Sequence, residues 1–214
     1  MQKIYIFDLD GTLVDSMEPA VKKVLLLLDE YGISYGENIV EILTPLGFKG
    51  IAKYYAETLG VPLTPQEIYE NFIEKLSVVY AQEIPLKRGV EETLRQLKKE
   101  GASLNVLTAS PHLFTDACLK NNGVFDLFDN VWSAEDFGLL KSDERMYPKV
   151  ARSLFADVSD CVMVDDSIHV IKAAKRAGMS TIGVYEETAK ENEEELRATA
   201  NAYVHDFEEL LTLA

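Results

Sequence analysis

Cysteine is scarce in this chain: Cys118 and Cys161 are the only two, far apart and each in an apolar stretch. That excludes a disulfide framework as a source of stability and leaves buried free thiols in a reducing cytosol as the expected state. Long apolar runs are also missing. No segment approaches the ~20 apolar residues that cross a bilayer. The apolar Ile4–Phe7 is too short for a signal-peptide core and is followed at once by acid. A cytoplasmic protein without a membrane span is therefore expected. Positive charge is in deficit, with 21 Lys and Arg against 36 Asp and Glu and a formal net charge of −15. Such a chain repels nucleic acid and anionic membranes, so neither is expected as a partner. It repels phosphorylated small molecules as well, and any site for one needs cations placed locally. No internal repeat or low-complexity linker is found. The hydrophobic fraction, 47% of 214 residues, is enough for one large domain or a core plus a smaller one.

The chain changes character twice. Ile4 to Phe7 reads as a short buried strand. From Asp15 the pattern turns helical: Asp15 or Ser16 can cap the start, and Val21, Val24, Leu25 and Leu28 fall at helical spacing. Asn38–Leu43, Gly50–Leu59 and Pro65–Tyr80 read as further helices, broken by Pro45-Leu46-Gly47 and Gly60-Val61-Pro62. From Pro85 onward helices and short apolar strands alternate: strands at Leu104–Leu107, Val131–Trp132, Cys161–Val164, Thr181–Val184 and Ala202–Val204, and helices at Val90–Glu100, Leu113–Asn121, Asp143–Phe155, Ile168–Ala177 and Glu187–Thr199. Alternation of this kind predicts an α/β fold with a doubly wound parallel sheet, buried on both faces. Residues 1–14 and 85–214 are expected to form the α/β core, and 15–84 an inserted all-α domain hung from junctions near Val14–Met17 and Ile84–Arg88.

In such sheets ligands sit beyond the carboxyl ends of the strands, so the residues that follow each strand carry the chemistry. Asp8 and Asp10 follow the first. Residues two apart in an extended chain point the same way, and two close carboxylates either take a proton or share a cation. Thr108, Ala109 and Ser110 follow the second, where hydroxyls and backbone N–H groups can cap a helix or hold phosphoryl oxygens. Glu135 and Asp136 follow the third and read as loop and cap acids; Lys141 comes next, a cation suited to a phosphate beside carboxylates. Asp165 and Asp166 follow the fourth, and adjacent acids after an apolar strand need something cationic to meet them. His112 and His169 read as helix-face residues. The loop Gly47-Phe48-Lys49-Gly50 reads as an interhelical turn or a specificity loop in which Lys49 meets an anion.

The string IYIFDLDGTLVD (Ile4–Asp15) resembles the first motif of the haloacid dehalogenase superfamily. Thr108 stands where that family has its second-motif hydroxyl. Lys141 with Tyr147 six residues on keeps the spacing of the third motif, although Ser142 and Glu144 occupy positions where prolines are usual. VMVDDS, ending in Asp165, Asp166 and Ser167, resembles the fourth motif. Val170 takes the place of a further aspartate, and KAAKRAGM is similar to the branch holding β-phosphoglucomutase and the sugar-phosphate and phosphoglycolate phosphatases.

The resemblance implies Asp8 as nucleophile, Asp10 as general acid and base, and Mg²⁺ held by Asp8, the Asp10 backbone carbonyl and Asp166, with Asp165 binding directly or from behind the ligands. It implies Thr108 and Lys141 as substrate contacts and a small phosphorylated metabolite as substrate; Ala109 and Ser110, beside Thr108, and Lys49, in the helical insert expected to act as a lid, are further candidate contacts. Keeping Asp10 favours phosphate chemistry over dehalogenation. A phosphatase is the first expectation. A phosphomutase uses the same core residues, and a non-catalytic phosphometabolite sensor uses the same pocket. A monomer is the default.

Overall fold

The computed structural model describes residues 3–43 and 46–213. It divides into two compact units, Met1–Asp15 with Pro85–Ala214, and Ser16–Ile84.

The first unit is built on a six-stranded sheet in the order β3-β2-β1-β4-β5-β6. The strands are β1 (Ile4–Phe7), β2 (Ser103–Thr108), β3 (Asn130–Ser133), β4 (Cys161–Asp165), β5 (Ser180–Val184) and β6 (Ala202–Val204). Every pairing is parallel. The helices of this unit are α5 (Val90–Lys99), α6 (His112–Asn121), α7 (Met146–Ser153), α8 (Ile168–Ala177), α9 (Glu193–Thr199) and α10 (Leu210–Leu213). Parallel strands need crossovers, and the helices that make them cover both faces. On one face Ile6, Leu107 and Met163 pack with Tyr147 and Val150 of α7 and with Ala173 and Ala174 of α8. On the other, Phe7 stacks on Tyr5 with centroids 5.8 Å apart and meets Phe207 at 5.9 Å. Asn105, two residues before Leu107 on β2, is buried and satisfied: its amide donates to Tyr5 O at 3.1 Å and its side-chain carbonyl accepts from Asn130 at 2.8 Å.

The register fixes the site. Phe7 pairs with Val106 on one side and Val164 on the other, and Thr108 with Ser133. Asp8, Thr108 and Asp165 therefore arrive at one rim, where the chain order reverses between β1 and β4. This is the topological switch point of a doubly wound sheet.

The second unit holds α1 (Met17–Glu30), α2 (Ile39–Leu43), α3 (Gly47–Glu57) and α4 (Pro65–Gln82). The start of α4 is strongly specified, with Thr64 and Glu67 forming a reciprocal capping box and Pro65 in the first turn. The buried Tyr55 donates to Val24 O at 3.2 Å and meets Phe72 edge-on at 5.7 Å.

Three sequence expectations need correction. Gly47-Phe48-Lys49-Gly50 is not a loop but the first turn of α3. The apolar stripe Ile51, Ala52, Tyr55 extends back one turn to the half-buried Phe48, whose ring lies 6.5 Å from Phe72, and that packing outweighs the two glycines. Pro45 of the proposed break lies outside the described residues. The helix expected from Asp143 begins at Met146, so Pro148 falls in its first turn, where a missing N–H costs nothing. The polar stretch Glu187–Thr199 splits into a 3-10 segment, Glu187–Asn192, with a non-helical Ala189, and then α9. Only Leu196 in α9 is buried, so little apolar surface favours one continuous helix. Both cysteines are free and buried, and burial pushes the Cys118 thiol up to about 12 and Cys161 up to about 11. Among the described residues no helix is long and apolar enough to cross a membrane.

Candidate active site

Asp8 leaves β1 with its N–H bonded to Val164 O at 2.9 Å, so the backbone still belongs to the sheet while the side chain reaches past it. Asp165 ends β4 and Asp166 follows. One oxygen from each of Asp8, Asp165 and Asp166 lies within 4.8 Å of the other two. Lys141, from the segment after β3, is buried against two of them. Its ammonium is 2.6 Å from Asp8 Oδ1 and 2.7 Å from Asp165 Oδ2. Tyr147 anchors the lysine backbone, its hydroxyl donating to Lys141 O at 2.5 Å. The six-residue spacing seen in the sequence is thus a brace: α7 presents Tyr147 to hold Lys141 in place.

The remaining acid oxygens are occupied selectively. Asp165 Oδ1 accepts from Ser167 N at 2.8 Å, so both of its oxygens have protein donors. Asp166 Oδ1 accepts from Thr12 Oγ1 at 2.8 Å, and the Asp166 N–H returns a bond to the same hydroxyl at 3.2 Å. Gly11 lies against this carboxylate at φ +77°, and a Cβ there would fall 2.9 Å from Asp166 Oδ2. The glycine of the DLDGT string is thus required twice, by its backbone conformation and by this close approach.

Asp10 points elsewhere. Its carboxylate accepts from Ser110 Oγ at 2.6 Å and lies 3.5 Å from Thr108 Oγ1, on the β2 side of the site. Ser110 N donates in turn to Thr108 Oγ1 at 3.0 Å. The carboxylates of Asp8 and Asp10 therefore do not form one group: Asp8 joins the acids of β4, and Asp10 joins the hydroxyls of β2. Ala109 is exposed in the same turn. His112, half exposed, bridges Asp136 at 2.8 Å and Asp116 at 3.4 Å; burial opposes its protonation, but the two acids hold its pKa raised. Asp136 also caps the turn after β3, accepting from Ser133 N. His169 is exposed on α8, and Val170 is buried in the core. Lys49 belongs to the helical unit, where its ammonium sits 5.6 Å from the centre of the Tyr69 ring.

The electrostatics of the acid group are unbalanced. Burial pushes the Asp8 carboxyl well above the usual range; Lys141 opposes this, and Asp165, Asp166 and Asp10 add to it. Burial also raises Asp165, against Lys141, and carries Asp166 up to about 7 with help from Asp165. Burial alone would lower the Lys141 ammonium, but Asp165 and Asp8 outweigh it and hold its pKa raised. With all three carboxylates ionised against one ammonium, two excess negative charges would stand in a buried space. An all-oxygen donor set with that excess suits a hard divalent cation.

Sequence reasoning missed three residues here: Thr12, Lys87 and Glu186. Thr12 lies inside the recognised string. Lys87 and Glu186 form a partly buried pair at 2.7 Å beside the Gly11 turn. Glu186 follows β5, where the rule of looking past each strand end would have found it.

One family model, haloacid dehalogenase-like hydrolase, matches this chain over residues 5–184. The chain belongs to the haloacid dehalogenase-like hydrolases. It is an enzyme of the phosphatase class in that family. Hexitol phosphatase B of Escherichia coli (strain K12) is 28% identical over 182 residues, covering 84% of this chain and 82% of that one. Pyrophosphatase PpaX of Bacillus velezensis is 28% identical over 186 residues, covering 84% and 81%. Among solved structures, CbbY from Rhodobacter sphaeroides in complex with phosphate superposes with a TM-score of 0.84 at 24% identity, over 98% of this chain and 96% of that one.

Proposed function

We propose that this haloacid dehalogenase-like hydrolase is a Mg²⁺-dependent phosphatase of small phosphorylated metabolites, with sugar phosphates as the favoured class, acting through an aspartyl-phosphate. The strongest support is Lys141, held between Asp8 and Asp165 at 2.6 and 2.7 Å while Asp166 stays within reach of both acids. The name of hexitol phosphatase B favours a sugar phosphate among the metabolites.

In this reading Asp8 attacks phosphorus in line with the leaving oxygen. A P–O bond forms to the Asp8 carboxylate as the bond to the alcohol oxygen breaks, and Asp10 gives its proton to that oxygen. Asp10 then takes a proton from water, which attacks the phosphoryl group and releases phosphate and free Asp8. Ser110 and Thr108 hold the Asp10 carboxylate for both transfers. Lys141 and the backbone N–H groups of the turn after β2 carry charge on the phosphoryl oxygens. Asp8, Asp166, the Asp10 carbonyl and Asp165, the last already engaged by Lys141, are the residues that would hold Mg²⁺, which supplies charge neutralisation for the phosphoryl group and the acids. Recognition of the leaving group falls to the helical unit as a lid domain, with Lys49 as its candidate anion contact.

A panel of phosphorylated sugars, phosphoglycolate and nucleoside monophosphates, assayed for released phosphate with Mg²⁺ and with EDTA, tests this. Hydrolysis should require Mg²⁺ and should fall by about three orders of magnitude or more in Asp8→Asn. Turnover indifferent to EDTA, or retained in that variant, would contradict it. Isomerised sugar phosphate with little free phosphate, seen only with a bisphosphate primer, would replace hydrolysis by phosphomutase chemistry.

A further inference from the structure

The partly buried ammonium of Lys87 has no part in the chemistry just described, yet its three N–H donors are directed at the frame of the site. It donates to Gly11 O at 2.5 Å, to Glu186 Oε2 at 2.7 Å and to Tyr185 O at 2.9 Å. These acceptors come from different places: Gly11 from the turn after β1, and Tyr185 and Glu186 from the segment after β5. Lys87 itself lies just past a short antiparallel bridge, Val14 with Leu86, and its own N–H bonds to Leu13 O at 2.9 Å. Glu186 is buried and locked on its other oxygen, which accepts from Thr188 N at 3.2 Å and Thr188 Oγ1 at 2.9 Å.

The Gly11 carbonyl is a sensitive place to pull. Gly11 separates Asp10, the proposed proton carrier, from Thr12, and its carbonyl belongs to the peptide that leads into Thr12, whose hydroxyl both donates to and accepts from Asp166. Gly11 also sits directly against the Asp166 carboxylate. Within the turn, Gly11 N bonds to Val14 O at 3.1 Å, and Thr12, Leu13 and Val14 all return to Leu9 O. Side chains tie it to the rim after β4 through Thr12 and Asp166, and after β2 through Asp10 and Ser110. Lys87 adds the tie to the segment after β5, and it is made to the turn's backbone. A lysine ammonium is a compact point donor whose three protons can meet three acceptors from different directions, and the buried Glu186 supplies its counter-charge.

We propose that Lys87, charge-balanced by Glu186, is a positioning residue that sets the Asp10–Gly11–Thr12 turn and through it the placement of Asp10 and Asp166. This rests on the phosphatase reading above, because it assigns a role in that reaction. It predicts that loss of the ammonium acts on the chemical step more than on substrate binding, since misplacing a reacting group by about 1 Å can cost on the order of 100-fold.

The experiment uses the full-length protein with Mg²⁺ and the best substrate of the panel. Lys87→Ala should lower kcat by roughly 10- to 100-fold while KM stays within about threefold, a pattern that marks an interaction made in the transition state. Propylammonium, which replaces the missing atoms, should restore part of kcat in Lys87→Ala and do nothing for the wild type. Glu186→Gln keeps the shape of the pair and removes its charge, and should lower kcat by a smaller factor in the same direction. Kcat within twofold of wild type in Lys87→Ala would overturn the proposal. So would a loss that follows the unfolded fraction and is not rescued by propylammonium. If Lys87→Ala does not fold, Glu186→Gln decides: kcat equal to wild type overturns the proposal. An inactive wild type would instead defeat the phosphatase reading itself.

Discussion

Two acid-rich regions of this protein behave in opposite ways. Around α9, Glu187, Glu193, Glu194 and Glu195 lie at the surface, and their partners are ordinary ion pairs: Lys190 with Glu187 at 2.5 Å, Lys172 with Glu195 at 2.5 Å and Arg197 with Glu193 at 2.8 Å. Water screens these charges, and they contribute to solubility more than to fold or chemistry. At the switch point, Asp8, Asp165 and Asp166 are buried with one lysine among them. The same functional group, taken out of water, becomes an unbalanced charge that must bind a proton or a cation. Burial, more than the number of acids, decides where a −15 chain does its chemistry.

The sharpest way to break this contrast is to remove the buried cation. Lys141→Met should lower kcat by roughly 1000-fold, because the ammonium faces Asp8, the proposed nucleophile, and the proposed phosphoryl oxygens. It should also destabilise the cation-free protein by about 3 kcal/mol at pH 8, since removing one partner of a buried pair leaves charge uncompensated. Urea denaturation in EDTA measures this. A loss below about 1 kcal/mol would place the three acids in a solvated site and end the contrast.

The pH dependence follows from the same imbalance. Burial, helped by Asp165, carries Asp166 up to about 7 in the cation-free protein. For a carboxyl raised on folding, the folded state is favoured while the group is protonated. That stability is fully present below the unfolded value of about 4 and is lost as pH climbs through about 7. In the proposed site Mg²⁺ would compete with that proton, so its affinity should rise between pH 5 and about 7 and level off above. Calorimetric titrations of wild type and Asp166→Asn across this range isolate the effect. A wild-type affinity that is flat with pH would contradict it.

A smaller effect lies away from both regions. Phe155 is fully exposed just past the end of α7 and holds φ +54°, the left-handed conformation that suits glycine there. Phe155→Gly should raise stability by roughly 0.5–1 kcal/mol, the relief of strain being partly offset by a freer unfolded chain. A decrease would mean that the ring stabilises the fold at its own expense.

Much of the fold was legible because the strands are short apolar runs bounded by acids and glycines, and the helices between them carry clear stripes. The switch-point residues were legible for the same reason: in a parallel sheet the chemistry must follow the strands, and Asp8, Thr108 and Asp165 do. What was hidden depended on contacts across the sequence. Nothing around Lys87 marks its pairing with Glu186, 99 residues away. The partition of the two motif-one acids, Asp8 toward β4 and Asp10 toward β2, was also invisible, because it depends on which neighbouring strand supplies hydroxyls and which supplies acids. In α3 the glycines at 47 and 50 concealed a first turn that Phe48 holds by packing.

The most direct test of the central claim is to stop the reaction in acid during steady-state turnover with Mg²⁺ and map the phosphoryl group by mass spectrometry. The account predicts a phosphoryl adduct on the Asp8 side chain, absent in Asp8→Asn and absent without substrate. Turnover at full rate with no adduct on Asp8, or with the adduct on another residue, would contradict it.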